Sequence, residues 1–224
     1  MNNPYLSDPG STATSGRVRE PFNTYSHAAG IALGLAGTIV LAILAGGNAL
    51  KLVGALVFGL TMTLMYTSST LYHALNVSQK ALVSLRRLDH AAIFLFIAGT
   101  YTPLLLQSLD ASWRPWALGI VWGLAGFGVL FRIFALKAPR WIYVLTYMGL
   151  GWLSVFLIPK LVLGGWALGF LIAGGAAYSI GAVIYALKRP NPLPRVIGFH
   201  GIWHLFVLAG SIGMYLAVLM VYVG

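Results

Sequence analysis

The sequence predicts an all-α integral membrane protein, a bundle of seven transmembrane helices with its N-terminus in the cytoplasm and its C-terminus outside. Hydrophobic residues make up 59% of its 224 residues and charged residues only 8%, which is outside the range of soluble globular domains. Seven apolar segments are each long enough to cross the hydrocarbon core as a helix, which takes about 20 residues. Basic residues are concentrated in alternate connections between these segments, and this asymmetry predicts the orientation.

The predicted spans follow one another with short connections. They cover residues 22–45, 50–74, 88–108, 113–134, 141–159, 164–187 and 196–222. We therefore expect one seven-helix transmembrane domain over residues 22–224. Residues 1–21 form a polar tail containing Ser, Thr and Gly, which lacks the apolar residues of a folded core and is expected to be flexible and cytoplasmic.

Individual spans show features typical of membrane helices. The first, fourth and sixth contain glycine pairs in "GIALG", "GIVWG" and "GWALG", a spacing that lets two helix backbones approach closely. Tryptophans near the predicted ends of the fourth, fifth and sixth spans are typical of anchors at the membrane interface. The first, second, third and seventh spans carry the ionisable residues on which the functional argument depends.

Positive charge is distributed unevenly along the chain. Eleven of the 14 Lys and Arg residues lie in the tail or in or next to the second, fourth and sixth connections, Arg132 at the end of the fourth span among them, whereas Lys51, Arg114 and Lys160 lie on the other side. Because cytoplasmic loops are enriched in Lys and Arg, the tail is predicted to be cytoplasmic. The net charge of +10 is therefore interpreted as a topology signal, with anionic membrane lipids as the expected partners rather than nucleic acid or nucleotides. The expected location is the cell (inner) membrane.

Three classes of protein are excluded by what the sequence lacks or by its predicted orientation. The chain has no cysteine, so it has no disulfide, no catalytic thiolate and no zinc site built from cysteine. The seventh span has no lysine that could form a retinal Schiff base. A cytoplasmic N-terminus is opposite to the orientation of a G-protein-coupled receptor.

Ionisable residues within the spans cluster at one end of the predicted bundle. Such residues are costly in a membrane and usually face the interior of the bundle. Odd spans begin in the cytoplasm and even spans end there, so the topology brings the whole set to the cytoplasmic end: His27, His73, Asp89, His90, His200 and His204.

The spacing of these residues suggests a metal site. His200 and His204, in "HGIWH", lie one helical turn apart on one face and can bind the same ion. His73 is the best candidate for a third ligand, which would leave a fourth position open for water, as in catalytic zinc sites. Ser69 lies one turn before His73 and could donate a hydrogen bond to substrate, while Asp89 could orient the water or accept its proton.

Simpler interpretations of the same residues remain open at this level. A histidine in an apolar helix most often hydrogen-bonds a neighbouring helix. Asp89 could form an interfacial ion pair with Arg86 or Arg87. Ser69 could bond back to the backbone of its own helix.

Three sequence blocks also resemble a known family. "EPFNTYSH", then "SSTLYH" followed by "LDHAAIFLFIAGTYTP", and finally "HGIWHLFVLAG" closely resemble the hemolysin III branch of the progestin and adipoQ receptor family. The resemblance covers about residues 20–220, with the blocks in the family's order. Relatives include the animal adiponectin receptors and, more remotely, the alkaline ceramidases.

The resemblance implies a zinc ion bound by His73, His200 and His204. It also implies an acid near the zinc-bound water and a serine beside it, which fall on Asp89 and Ser69. Four further residues are expected to support the site: Glu20, Asn23, His27 and His90. Glu20 and Asn23 belong to the first family block and would organise the cytoplasmic rim. Met214 stands where many relatives have another histidine, which is not a zinc ligand in the family pattern.

Three functions are compatible with this sequence. The leading hypothesis is a zinc-dependent hydrolase of a membrane-lipid amide or ester, with its site facing the cytoplasm. The second is a non-enzymatic sensor or regulator in which zinc holds helices together. The third is a cytolytic pore, which the family's hemolysin label suggests, although intramembrane charge clusters at one end only.

Overall fold

A computed structural model describes residues 18–135, 138–194 and 196–224 of the chain. Within these ranges the chain is all-helical, and seven helical segments are long and apolar enough to cross a membrane. Most of the predicted N-terminal tail, together with Lys137 and Arg195, lies outside the described residues. The helices, in chain order, are α1 Pro21–Leu44, α2 Ala49–Ala74, α3 Gln79–Ser108, α4 Arg114–Phe134, α5 Arg140–Trp152, α6 Ser154–Leu157, α7 Gly165–Leu187 and α8 Phe199–Val223.

The seven predicted spans are confirmed, and the largest difference in bounds is at the third. Helix α3 begins at Gln79, nine residues before the predicted start of its apolar span. Ser78 caps it, since its side chain accepts a hydrogen bond from the backbone N–H of Ala81 at 3.3 Å. The added turns contain charged residues that hydropathy leaves out but that are good helix formers.

The fifth span is interrupted. After α5 the chain forms the single turn α6 and then a 3-10 turn, Ile158–Lys160. The Ser154 hydroxyl bonds back to the carbonyl of Gly151 at 2.9 Å where α5 gives way to α6. This span is the least buried of the seven, and it forms one wall of the internal cavity described below.

Glycines allow close packing between several helices. Gly30 of α1 lies against the ring of Tyr66 in α2, as the predicted "GIALG" pair requires. Gly174 of α7 and Gly213 of α8 bring those two backbones into contact. By contrast, a side chain added at the glycines of "GIVWG" or "GWALG" would meet no described atom of another helix within 4 Å, so those two pairs do not pack helices within the described part of this chain.

Candidate metal centre

The residues singled out in the sequence meet at one end of the bundle. We call it the histidine end: α1, α3, α5 and α8 begin there, and α2, α4 and α7 end there. The predicted convergence is confirmed, since the four histidines of α1, α2 and α8, together with Asp89 and His90 of α3, are all buried at this end. That this end faces the cytoplasm stays a prediction from the charge bias.

Three histidines form a compact buried group. One ring nitrogen from each of His73, His200 and His204 lies within 4.8 Å of the others. His73 comes from the last turn of α2, whereas the other two come from the first two turns of α8. Nitrogens bound 2.0–2.1 Å from a common tetrahedral ion are about 3.4 Å apart, so small side-chain rotations bring this group onto one ion. The group could therefore hold a metal.

Hydrogen bonds set two of these rings for metal binding. Nδ1 of His73 lies 2.7 Å from Oε2 of Glu20, and Nδ1 of His204 lies 3.2 Å from the carbonyl oxygen of Asn23. A carboxylate and a carbonyl only accept, so each Nδ1 carries a proton, and the metal-binding form of each ring has its lone pair on Nε2. Nε2 of His73 is buried and has no hydrogen-bond partner among the residues that the structure describes. A metal ion would satisfy this lone pair, and the carboxylate behind the ring is the usual outer partner of a metal-bound histidine.

Glu20 connects the start of α1 to the end of α2. Its carboxylate accepts hydrogen bonds from Arg19 at 2.5 Å and from the Asn23 side chain at 2.8 Å, as well as from His73. Its backbone N–H also donates to the carbonyl of His73 at 3.0 Å. Burial alone would raise the pKa of Glu20, but the hydrogen bond from His73 and the neighbouring positive charge outweigh burial and lower it to about 2. Glu20 is thus a carboxylate at neutral pH.

Ser69, His27 and Asp89 adjoin the three histidines. The Ser69 hydroxyl lies 2.8 Å from Nδ1 of His27 and also interacts with the Asp89 carboxyl group. The His27 ring stacks on the ring of His204, with centroids 3.6 Å apart. The site therefore brings together three kinds of group from three different helices: a hydroxyl, an acid and a metal-binding group.

The simpler interpretations of Asp89 and Ser69 do not describe this arrangement. Among the described residues, Asp89 forms no ion pair with Arg86 or Arg87, and its Oδ2 lies 3.9 Å from Nε2 of His90. Ser68, the neighbour of Ser69, is the serine that bonds back to its own helix, at 2.8 Å from the carbonyl of Leu64.

One buried cation was not recognised in the sequence as part of this site. Arg132, in the last turn of α4, was counted among the loop charges that set topology, yet its side chain has no exposed surface. Its Nη2 lies 2.6 Å from Nδ1 of His90, and its guanidinium lies over the ring of Tyr143 at 4.0 Å. The signal that could have revealed it is its sequence setting, "LFRIF", where large apolar residues flank it on both sides.

A cavity of about 550 Å³ extends from the histidine end into the bundle. Asp89, His200 and His204 line its polar end, and apolar side chains from α3, α5, α7 and α8 line the rest. Met214, at the position where many relatives have histidine, is part of this apolar lining. The volume is within the range of small-molecule sites, and the lining suits an apolar ligand with one polar group.

Comparisons with known proteins agree with the resemblance seen in the sequence. The family described as "Haemolysin-III related" matches residues 15–215, which include every residue of the site described above. The chain is 37% identical over 201 residues to the "Hemolysin-3 homolog" of Bacillus subtilis (strain 168), covering 88% of this chain and 91% of that protein. It is 39% identical over 201 residues to "Hemolysin-3" of Bacillus cereus, covering 88% and 89% of the two chains.

Proposed function

This chain belongs to the haemolysin-III related family of multi-pass membrane proteins, and on that premise we propose that it is a zinc-dependent hydrolase of a membrane-lipid amide or ester. The observation that carries the proposal is the buried Nε2 of His73, which has no hydrogen-bond partner among the described residues and lies beside two further histidines at the polar end of an apolar cavity. The protein would act in the cell (inner) membrane, on a lipid of that membrane.

The donor set suits zinc and disfavours the metals that require oxygen ligands. Imidazole ligands suit zinc, copper, iron and nickel, whereas magnesium and calcium require oxygen ligands. Three histidines with a fourth position open to water are one of the known ligand sets of catalytic zinc. His73, His200 and His204 would be the ligands, and Glu20 would hold the ring of His73 in the required tautomer.

The cavity favours a lipid substrate. Its rim is formed in part by residues of the fifth and sixth spans that are themselves about half exposed on the outer surface of the bundle: Trp152, Ile172 and Ile180. A lipid tail could therefore enter sideways from the hydrocarbon core. Its carbonyl group would then lie at the polar end of the cavity.

Each polar residue has a distinct role in the proposed reaction. Zinc, when bound, would polarise the carbonyl group and lower the pKa of a water molecule. Asp89 would accept the proton of that water and return it to the leaving amine or alcohol. The Ser69 hydroxyl, positioned by His27, would donate a hydrogen bond to the oxygen on which negative charge develops.

The test is fatty-acid release by purified, zinc-loaded protein in vesicles containing ceramide as the amide-linked lipid and phosphatidylglycerol as the ester-linked lipid. We expect release from at least one lipid, and its loss in Asp89→Asn with zinc retained. A zinc-loaded wild type that releases no fatty acid, in an assay where a related hydrolase is active, would contradict the proposal.

A second candidate is a non-enzymatic regulator in which zinc holds α2 and α8 together. The network around Glu20 favours it, because that network already joins α1 to α2 and would stabilise the bundle whether or not chemistry occurs. Asp89→Asn distinguishes the two candidates in cells: a regulator keeps its function with this variant, and a hydrolase loses it.

The cytolytic pore has the least support. An ion crossing the membrane needs polar groups that replace its water along the whole path. Beyond the histidine end the cavity lining is mostly apolar, with only scattered hydroxyl groups such as those of Thr100 and Ser154 among the described residues. Reconstituted protein is therefore expected to give flat conductance records.

A further inference from the structure

His90 differs from the other histidines of the site in the group that its Nδ1 faces. In His73 and His204 this nitrogen faces an acceptor, the Glu20 carboxylate and the Asn23 carbonyl respectively. In His90 it lies 2.6 Å from Nη2 of Arg132, which can only donate. Nδ1 of His90 must therefore be the acceptor and carry no proton.

The remaining proton of His90 is then located by elimination. A second positive charge so close to a buried guanidinium would be strongly repelled, so the ring is neutral and its single proton is on Nε2. That atom lies 3.9 Å from Oδ2 of Asp89. The distance exceeds that of a direct hydrogen bond, yet the N–H and the carboxylate are close enough to attract each other.

Arg132 is held in place by contacts other than an acid. Its guanidinium lies over the ring of Tyr143 at 4.0 Å, and the Tyr143 hydroxyl in turn donates to the carbonyl of Ala138. A cation in the last turn of α4 also complements the negative end of the helix dipole. Two of its nitrogens, Nε and Nη1, are buried with no hydrogen-bond partner among the described residues. A fully buried charge with so few partners is costly, so its retention calls for an explanation beyond packing.

We infer that Arg132 is a positioning residue of the proposed site: it locks His90 in the tautomer with the proton on Nε2, and His90 thereby presents an N–H to the Asp89 carboxylate. The series Arg132, His90, Asp89 connects α4 to the cavity. In this arrangement one carboxylate oxygen of Asp89 faces His90, and the other is left to interact with Ser69 and the reacting water. The part of this inference that concerns Asp89 rests on the proposed hydrolase function, whereas the part that concerns the tautomer does not.

The first readout is independent of catalysis. Ring-nitrogen NMR of histidine-labelled protein in lipid bilayers reports which nitrogen carries the proton, and His90 is assigned by the signal that disappears in His90→Gln. We expect a neutral His90 with an unprotonated Nδ1 in the wild type. Arg132→Met removes the hydrogen-bond donor and should change this signal, whereas Arg132→Lys keeps a donor and should preserve it. Arg87→Gln is the control: it removes an exposed charge from α3 and should leave the signal unchanged.

The second readout is kinetic. If lipid hydrolysis is observed, Arg132→Met should lower kcat by about tenfold to a hundredfold, the usual effect of losing an outer-shell partner, with KM and zinc content unchanged. Arg132→Lys should restore most of the rate. If the wild type shows no turnover, the proposed function fails but the NMR result still decides the tautomer. A wild-type His90 with a protonated Nδ1, or a signal that Arg132→Met does not change, would overturn the inference.

Discussion

The two ends of the bundle differ in how they carry polar and charged side chains. At the histidine end, Glu20, His73 and Asp89 are buried and interact mainly with other side chains. At the opposite end, Asp110 and Lys160 are exposed on the surface. Asp110 bonds to Ser112 two residues away, and Lys160 lies over the exposed ring of Trp113 at 4.6 Å.

The opposite end shows what polar residues do when they only terminate helices. Nζ of Lys51 donates to the carbonyl of Tyr222 at 2.9 Å, and Nε of Arg114 donates to the carbonyl of Leu109 at 2.8 Å. These contacts satisfy backbone groups that helix ends leave without partners. The histidine end goes further, because it buries acids and imidazoles against one another at a cost that the proposed ligand and reaction would explain. Substitutions at the histidine end are therefore expected to affect zinc binding or activity, whereas substitutions at the opposite end are expected to affect stability alone, and only slightly.

Of the four substitutions that compare the two ends and the cavity between them, Ser69→Ala is expected to have the largest effect. Removing the hydroxyl that would stabilise the developing negative charge should lower kcat for lipid hydrolysis by about 10²–10³-fold, with little change in KM. Zinc content should stay at the wild-type level. Ser68→Ala is the matched control, because its hydroxyl bonds only to its own helix, and it should keep the wild-type rate. Equal losses in both variants would contradict the role given to Ser69.

A smaller effect is expected when an acid is replaced by its amide at each end. Glu20→Gln should weaken zinc binding by about 10–100-fold, since the carboxylate no longer holds the tautomer and orientation of His73. Asp110→Asn should leave the affinity unchanged, because that acid is exposed at the other end. Competition with a chelator of known affinity measures both. An unchanged zinc affinity in Glu20→Gln would contradict the role of the Glu20 carboxylate in orienting His73.

The cavity predicts an effect of about tenfold. Ala176 lines the cavity from α7, and a phenylalanine there should raise KM for a lipid about tenfold, since filling a packed site typically costs 1–3 kcal/mol. Ala173→Phe on the same helix, at an exposed position outside the cavity lining, is the control and should keep the wild-type KM. Similar values for the two variants would indicate that the lipid does not occupy this cavity.

The smallest effect is expected at the opposite end. Lys51→Met removes the contact with the Tyr222 carbonyl and should change the free energy of unfolding by no more than about 1 kcal/mol. Zinc content and hydrolysis should stay at wild-type levels. Thermal denaturation in detergent measures the first quantity. A loss of zinc in this variant would show that the two ends are coupled, against the comparison drawn here.

Much of the fold was predictable because the bilayer imposes simple rules. Span length and hydropathy predicted seven helices, and the parity of the topology predicted that His27, His73, Asp89 and the "HGIWH" pair meet at one end. The break in the fifth span was not predicted, because its segment is as apolar as that of an unbroken helix.

The contacts that orient the site were harder to predict. The pairing of Glu20 with His73 depends on the chain before α1 bonding to the end of α2, which has no signature in either segment alone. The role of Arg132 depends on its side chain turning inward from the end of α4, and a topology count treats such a residue as a loop charge. Sequence spacing indicates which residues share a depth, but tertiary packing decides which nitrogen faces which partner.

The most direct test of the central claim is the zinc content of detergent-purified protein. We expect roughly one zinc per chain in the wild type, lost in His73→Ala, His200→Ala and His204→Ala. The two other histidines of the same end provide the controls, and His27→Phe and His90→Gln should both retain zinc. A wild type that binds no zinc after chelator treatment and resupply, or zinc that survives all three alanine variants, would contradict a metal centre at the histidine end.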